Sequence, residues 1–230
     1  MAELWGMKKL IVVTGGSKGI GRAIVDTFVA RGFDAVLCAR NVDDIQGPGL
    51  IPFAADLSTR GGVDALVTYL KSLNRPIDVL VNNTGTFQPG QIHNEAEGTF
   101  ETLMNTNVAS AYHLTRGLVG EMMARREGHI VMMCSTASIT PYTNGGSYCI
   151  SKFALLGMSK VLREELKPSG VRVTAILPGA TLTASWEGTD LPTDRFMQAT
   201  DVAETVWAAC NLPKTAVLEE ILMRPQLGDI

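Results

Sequence analysis

Short apolar runs alternate with amphipathic stretches along the whole chain. Leu10-Ile11-Val12-Val13 is an uninterrupted hydrophobic run, with the length and β-branched content of a strand buried on both faces. Behind it Ile20, Ile24 and Phe28 recur at helical spacing, and Gly32 is placed to end that helix. The couplet then repeats. Residues 35–40 and 51–55 read as strands, with a helix near 60–72. Residues 77–81 read as a strand ahead of two helical patterns over 95–126. Residues 129–134 form the next apolar run, and a helix carrying Tyr148 follows it to about Lys167, where Pro168 and Gly170 stop it. A strand at 171–176, a helix at 201–210 and a last strand at 218–223 complete the series. This alternation predicts a doubly wound parallel sheet with helices on both faces, a three-layer α/β/α fold. No repeat, low-complexity tract or linker interrupts it, so residues 1–230 read as a single domain.

The first strand runs straight into Thr14-Gly15-Gly16-Ser17-Lys18-Gly19-Ile20-Gly21. Strand, glycine-rich turn and helix in that order make the first unit of a dinucleotide-binding, Rossmann-type fold. Such a turn brings backbone N–H groups and the positive end of a helix against a pyrophosphate, and glycines let the backbone approach closely. The spacing here is G-x-x-x-G-x-G rather than G-x-G-x-x-G, and a tight structural loop is the alternative reading. The next strand ends at Ala39-Arg40, where an NAD site wants an acid to accept from the ribose 2′-hydroxyl. Ala39 supplies none. Arg40 offers a planar cation suited to a 2′-phosphate, and Lys18 stands in the glycine turn to join it. Either could be a plain surface cation; together with the missing acid they favour NADP.

Tyr148-Cys149-Ile150-Ser151-Lys152 places a phenol and an ammonium one helical turn apart, on one face. A free phenol ionises near pH ~10, and a fixed cation beside it favours the phenolate. The pair makes a usable general acid/base out of a weak one. The same spacing also arises by chance on solvated helix faces, so its weight comes from the company it keeps.

Composition narrows the classes. Net charge of −3 gives no electrostatic case for nucleic acid or an anionic membrane, and no apolar run reaches transmembrane length. Met1–Lys9 lacks the long apolar core of a signal peptide. Cys38, Cys134, Cys149 and Cys210 are scattered without metal or redox spacing and mostly lie in apolar segments, which points to a reducing cytoplasm. His93, His113 and His129 show no ligand spacing, so no metal site is expected.

Taken together these motifs resemble the short-chain dehydrogenase/reductase family over nearly the whole chain. Its T-G-x-x-x-G-x-G turn is matched at Thr14, Gly15, Gly19 and Gly21; its adenine-side acid by Asp56 with Leu57; its N-N-A-G motif by Asn82-Asn83-Thr84-Gly85, with threonine replacing alanine. The helix asparagine is matched by Asn107, the serine thirteen residues before the tyrosine by Ser135, and the proline-glycine after the sixth strand by Pro178-Gly179. The resemblance implies an NADP-dependent oxidoreductase that interconverts a carbonyl and a secondary alcohol. It implies a catalytic set of Asn107, Ser135, Tyr148 and Lys152, with Tyr148 as general acid/base and Asn107 holding a relay water. It also implies cofactor contacts from Gly15, Ser17, Lys18, Gly19, Ile20, Gly21, Arg40, Asp56, Leu57, Asn83, Gly85, Tyr148, Lys152, Pro178, Gly179, Thr181 and Thr183. The partner is a small carbonyl or alcohol, with Thr86, Phe87, Gln88, Ala137, Ser138, Pro141, Tyr142 and Trp186 as pocket candidates by position. A homodimer or homotetramer is expected, built on surplus apolar residues such as Val108, Leu114, Leu118, Met122, Leu155, Met158 and Leu162. A nucleotide-sensing module on the same fold is the alternative; it would be expected to lose Tyr148 or Lys152, and both are present.

Overall fold

A computed structural model describes residues 7–186 and 188–230. Seven parallel strands form one sheet: β1 Leu10–Thr14, β2 Asp34–Ala39, β3 Leu50–Ala54, β4 Val79–Asn82, β5 His129–Met133, β6 Arg172–Pro178 and β7 Glu220–Met223. Their order across the sheet is β3-β2-β1-β4-β5-β6-β7. The chain winds outward from β1 to β3, returns to the middle and winds outward the other way. The reversal falls between β1 and β4, and in open parallel sheets ligands bind outside the carboxyl ends of the strands at such a point.

Side chains alternate across each strand, so both faces of the sheet are apolar and both are covered. Leu10, Val12, Leu80, Ile130 and Met132 face one core, closed by α2 (Arg60–Ser72), α4 (Ser110–Arg125) and α5 (Gly146–Leu166). Ile11, Val13, Val81, Val131 and Ile176 face the other, closed by α1 (Gly19–Ala30) and α6 (Ala199–Cys210). On α1 the Ile24–Phe28 stripe is fully buried, and Phe28 meets Phe33 and Trp207 edge-on at 5.2 and 5.1 Å. Among the described residues no helix is long and apolar enough to cross a membrane, and no group of three His, Cys, Asp or Glu side chains could hold a metal ion.

The structure redraws some expected elements. The fourth strand begins at Val79 rather than residue 77, because the Asp78 carboxylate accepts from the Leu10 N–H at 2.8 Å where a strand carbonyl would otherwise stand. The helical stretch expected from residue 95 begins at Thr99, after Gly98 in the left-handed region, as α3 (Thr99–Met104). It passes through one wide π turn, Asn105–Ala109, before α4. The apolar surplus proposed as an oligomer face needs correction. Leu114, Leu118, Met122 and Leu155 are buried core, while the side chains that α4 and α5 leave exposed include Tyr112, Met123, Ile150, Phe153 and Val161.

Candidate active site at the carboxyl edge of the sheet

The glycine turn is built as a cradle. Gly15 and Gly16 donate to the Cys38 carbonyl at 2.8 and 3.2 Å, tying the turn to β2. Thr14 Oγ1 accepts the N–H groups of Asn83 and Thr84, each at 2.9 Å. Asn83 Nδ2 donates back to the carbonyls of Thr14 and Gly15 at 2.8 and 3.2 Å. Asn83 therefore fixes the turn across the β1/β4 switch point. Only glycine fits at position 21, where a Cβ would lie 2.2 Å from the Gly15 carbonyl oxygen. No side chain caps the start of α1, so the first-turn amides of Gly19, Ile20 and Gly21 have no side-chain acceptor at a helix end that favours anions. Thr183, in the segment after β6, packs its methyl 3.3 Å from where a Gly19 Cβ would stand. Gly179 donates to the Met223 carbonyl at 2.8 Å, and buried Thr181 donates to the Gly179 carbonyl at 3.1 Å, setting the start of that segment after Pro178.

At the ends of β1 and β2, Lys18 and Arg40 are exposed, and neither forms an ion pair with a described residue. Ser17 is half-buried beside Lys18. Asp56 stands across from Arg40 just beyond β3. Hydrogen bonds from the Ser58 side chain and backbone, at 2.8 and 3.0 Å, hold its carboxyl below the usual range, with Arg40 adding a smaller pull. Leu57 is buried beneath it.

Four of the expected residues gather across the switch point. Lys152, 7 % exposed, donates from Nζ to the Met133 carbonyl at 3.0 Å, and its ammonium lies 5.8 Å from the centroid of the Tyr148 ring. Asn107 is fully buried in the π turn. Its Oδ1 accepts from Thr86 N–H at 2.8 Å, and its Nδ2 donates to the Thr86 carbonyl at 3.0 Å and to Ser151 Oγ at 2.9 Å. Single π turns inside helices are frequent at functional sites, and this one turns an asparagine inward. A Cβ on Gly85 would lie 3.3 Å from Asn107 Oδ1 and 3.6 Å from Lys152 Nζ, which fixes how closely the three converge. Ser135 ends the β5 segment and caps the short turn Thr136–Ser138. Its Oγ accepts from Ala137 N–H at 3.1 Å, which leaves its own proton to donate. Tyr148 is half-buried on the first turn of α5, with the Phe87 ring edge-on at 5.0 Å. Partial burial, with Tyr148 and Cys149 nearby, pushes the Tyr142 phenol up.

Two residues outside the expected set organise the site. Ser151 accepts from Asn107 and donates to the Tyr148 carbonyl at 2.7 Å, bridging the π turn to α5. Glu95 accepts from Ser147 N–H at 2.8 Å and from the Ser147 hydroxyl, capping α5 from another segment of the chain. Of the pocket candidates, Ala137 and Ser138 are buried, and the Ser138 hydroxyl accepts from Ser135 N–H; they shape the turn instead of lining a surface. Trp186 packs against Phe196 with ring centroids 5.0 Å apart.

Known proteins resemble this chain over most of its length. Residues 9–192 match the family model for short chain dehydrogenases. The chain is 32% identical to a sepiapterin reductase of Chlorobaculum tepidum, over 97% of this chain and 99% of the relative. A metagenomic short-chain oxidoreductase solved with NADP superposes with a TM-score of 0.84 at 29% identity, covering 96% of this chain and 98% of that one. The L-sorbose reductase of Gluconobacter frateurii, solved with NADPH and L-sorbose, gives 0.85 at 29% identity over 95% and 96%. Matched by that model over most of its length, and by a relative 32% identical over nearly all of it, this protein belongs to the short-chain dehydrogenase family.

Proposed function

We propose that this protein is an NADP-dependent oxidoreductase interconverting a carbonyl compound and a secondary alcohol, with Tyr148 as its acid/base. The observation that carries the reading is the convergence of Gly85, Asn107 and Lys152 beneath the half-buried Tyr148. A buried ammonium bound to a strand carbonyl is an unusual and costly feature, and here it stands beside a phenol. The uncapped α1 terminus, the close-packed glycine turn and the exposed Lys18 and Arg40, which have no ion-pair partner among the described residues, fit a dinucleotide carrying a 2′-phosphate. The solved relatives named above hold NADP or NADPH.

When bound, the reduced cofactor supplies the hydride. Tyr148 then donates its proton to the substrate oxygen as negative charge develops there, and Ser135 donates a second hydrogen bond to the same oxygen. Lys152 holds positive charge beside the phenol. Asn107 and Ser151 fix the π turn and α5 in register, and Ser135, Tyr148 and Lys152 stay on rigid elements. The exposed apolar side chains of α4 and α5 suit a symmetric homo-oligomer, read out as a mass above that of a monomer in light scattering.

The test is loss of the reduced-nicotinamide absorbance when NADPH meets a panel of ketones and aldehydes. Turnover of at least one class supports the reading; tight NADPH binding with no turnover on a broad panel favours a nucleotide-sensing module instead.

A further inference from the structure

We propose that the substrate is an uncharged carbonyl compound bearing an aromatic or flat apolar group, seated against Phe87 beside Tyr148. This rests on the oxidoreductase reading and adds the substrate class. The Phe87 ring stands edge-on to Tyr148, 5.0 Å away with the planes at 82°, yet remains 41% exposed. Tyr142 is 47% exposed on the loop that leads into α5, and Ile139 is exposed just before it. A large apolar side chain left open beside an acid/base group, as Phe87 is, is a lining that a small-molecule pocket uses.

The wall is held in place without a ligand. Gly90 N–H donates to the Asn144 carbonyl at 3.0 Å, and Gln91 Nε2 donates to Asn144 Oδ1 at 2.9 Å. Glu95, further along the same loop, caps α5 through Ser147, the residue before Tyr148. Gly146 has no room for a Cβ, which would lie 2.1 Å from the Glu95 carboxylate. The loop that carries Phe87 and the helix that carries Tyr148 are thereby sewn together. A preformed aromatic surface favours a flat apolar partner, because little ordering cost is left for binding.

Charge points the same way. Residues 76–115 and 127–151, which hold β4, β5 and the loops that rise from them, contain no lysine or arginine. The carboxylate of Glu95 is engaged by α5, and the Lys152 ammonium by Met133. A substrate carboxylate drawn under these loops finds no lysine or arginine from them, and an unpaired charge in a partly desolvated site is strongly disfavoured. The segment after β6 carries one cation among residues 179–198, Arg195, whose Nε is buried and has no partner among the described residues. Arg195 is a rival route to a carboxylate, so the test includes it.

The paired probes are ethyl benzoylformate and benzoylformate, which share ketone and phenyl ring and differ as ethyl ester against carboxylate, with ethyl pyruvate as the ester that lacks the ring. Turnover with NADPH and calorimetric binding to the Tyr148→Phe protein saturated with NADPH are both measured. The expected result is a kcat/KM at least ~100-fold higher for the ester than for the acid, the scale of leaving a charge unpaired. Phe87→Ala should lower kcat/KM for ethyl benzoylformate by about 10-fold or more beyond any loss seen with ethyl pyruvate, with NADPH affinity within about twofold. A general loss of fold would move all three together. Benzoylformate handled as well as its ester overturns the proposal, and loss of that activity in Arg195→Gln would assign the carboxylate to Arg195. Failure of both aryl probes to bind, while other ketones turn over, also overturns it but leaves the oxidoreductase reading standing. NADPH binding with no turnover of any carbonyl overturns that reading itself.

Discussion

The two edges of this sheet bury polar side chains to the same depth and use them differently. At the carboxyl edge, Thr14, Asn107 and Lys152 are each satisfied by hydrogen bonds that cross from one element to another, and together they surround the switch point. At the amino edge, His129 opens β5 at 1% exposure. Its Nε2 meets Thr174 Oγ1 at 2.7 Å, while its Nδ1 has no partner among the described residues. Burial, with the Arg172 charge behind it, pushes the imidazole down to about 3. A cleft of about 100 Å³ opens at this edge, yet most of its charged lining is already committed. Glu127 pairs with Lys214 at 2.8 Å, Asp78 takes Leu10 N–H, and Arg172 holds the carbonyls of Cys210 and Leu212, both at 3.0 Å. A charge-lined cleft is therefore not by itself a site. What marks the opposite edge is polar groups from separate elements converging on one point beneath an open phenol.

If that contrast is right, carboxyl-edge variants change chemistry or cofactor binding and spare stability, and an amino-edge variant does the reverse. The largest effect in this group belongs to Ser135→Ala, which removes one hydrogen bond to the developing oxyanion. Turnover should fall by about 10²–10³ with NADPH affinity unchanged, measured by steady-state kinetics beside direct cofactor titration. Next is Arg40→Ala. A charge-assisted contact to a phosphate is worth about 1.5–3 kcal/mol, so NADPH binding should weaken by roughly 10- to 150-fold while NADH binding changes little. Calorimetry with both nucleotides checks it, and wild-type protein that binds NADH tighter than NADPH would remove the assignment.

The smallest effect on activity belongs to the amino edge. The folded imidazole has its pKa at about 3 against an ordinary value of 6.5, so between these limits the unfolded chain binds a proton that the native chain does not. Stability therefore falls as pH drops through that window, by up to about 1.4 kcal/mol per pH unit from this group. Urea unfolding at several pH values should show a shallower acid slope in His129→Asn than in wild type, with turnover at neutral pH close to unchanged. An identical slope in the two proteins would show that His129 does not carry the acid sensitivity.

The sequence exposes the carboxyl edge far better than it exposes how that edge is held. The glycine turn, Arg40 and the Tyr148–Lys152 pair are readable at fixed offsets from apolar runs, which need no knowledge of tertiary contacts, whereas Asn107 and Ser135 enter only through the family resemblance. Ser151 and Glu95 are legible by neither route. Their partners, Asn107 and Ser147, lie 44 and 52 residues away, and nothing local distinguishes a bridging serine or a capping glutamate from solvated ones. The helices α4 and α5 failed for a related reason. Both carry apolar residues on two faces, so spacing alone cannot say that Leu114 and Leu118 face the sheet while Tyr112 and Phe153 face out. His129 reads from sequence as one polar residue at the start of a strand, and only burial reveals its cost.

The most direct test of the central claim is Tyr148→Phe, which keeps the ring against Phe87 and removes only the hydroxyl. Single-turnover reduction of an accepted carbonyl should slow by about 10³-fold or more, at the upper end of what a positioned acid contributes, with the NADPH dissociation constant within about twofold of wild type. Near-normal reduction by this variant would contradict the assignment of Tyr148 as the proton donor, whatever the fold.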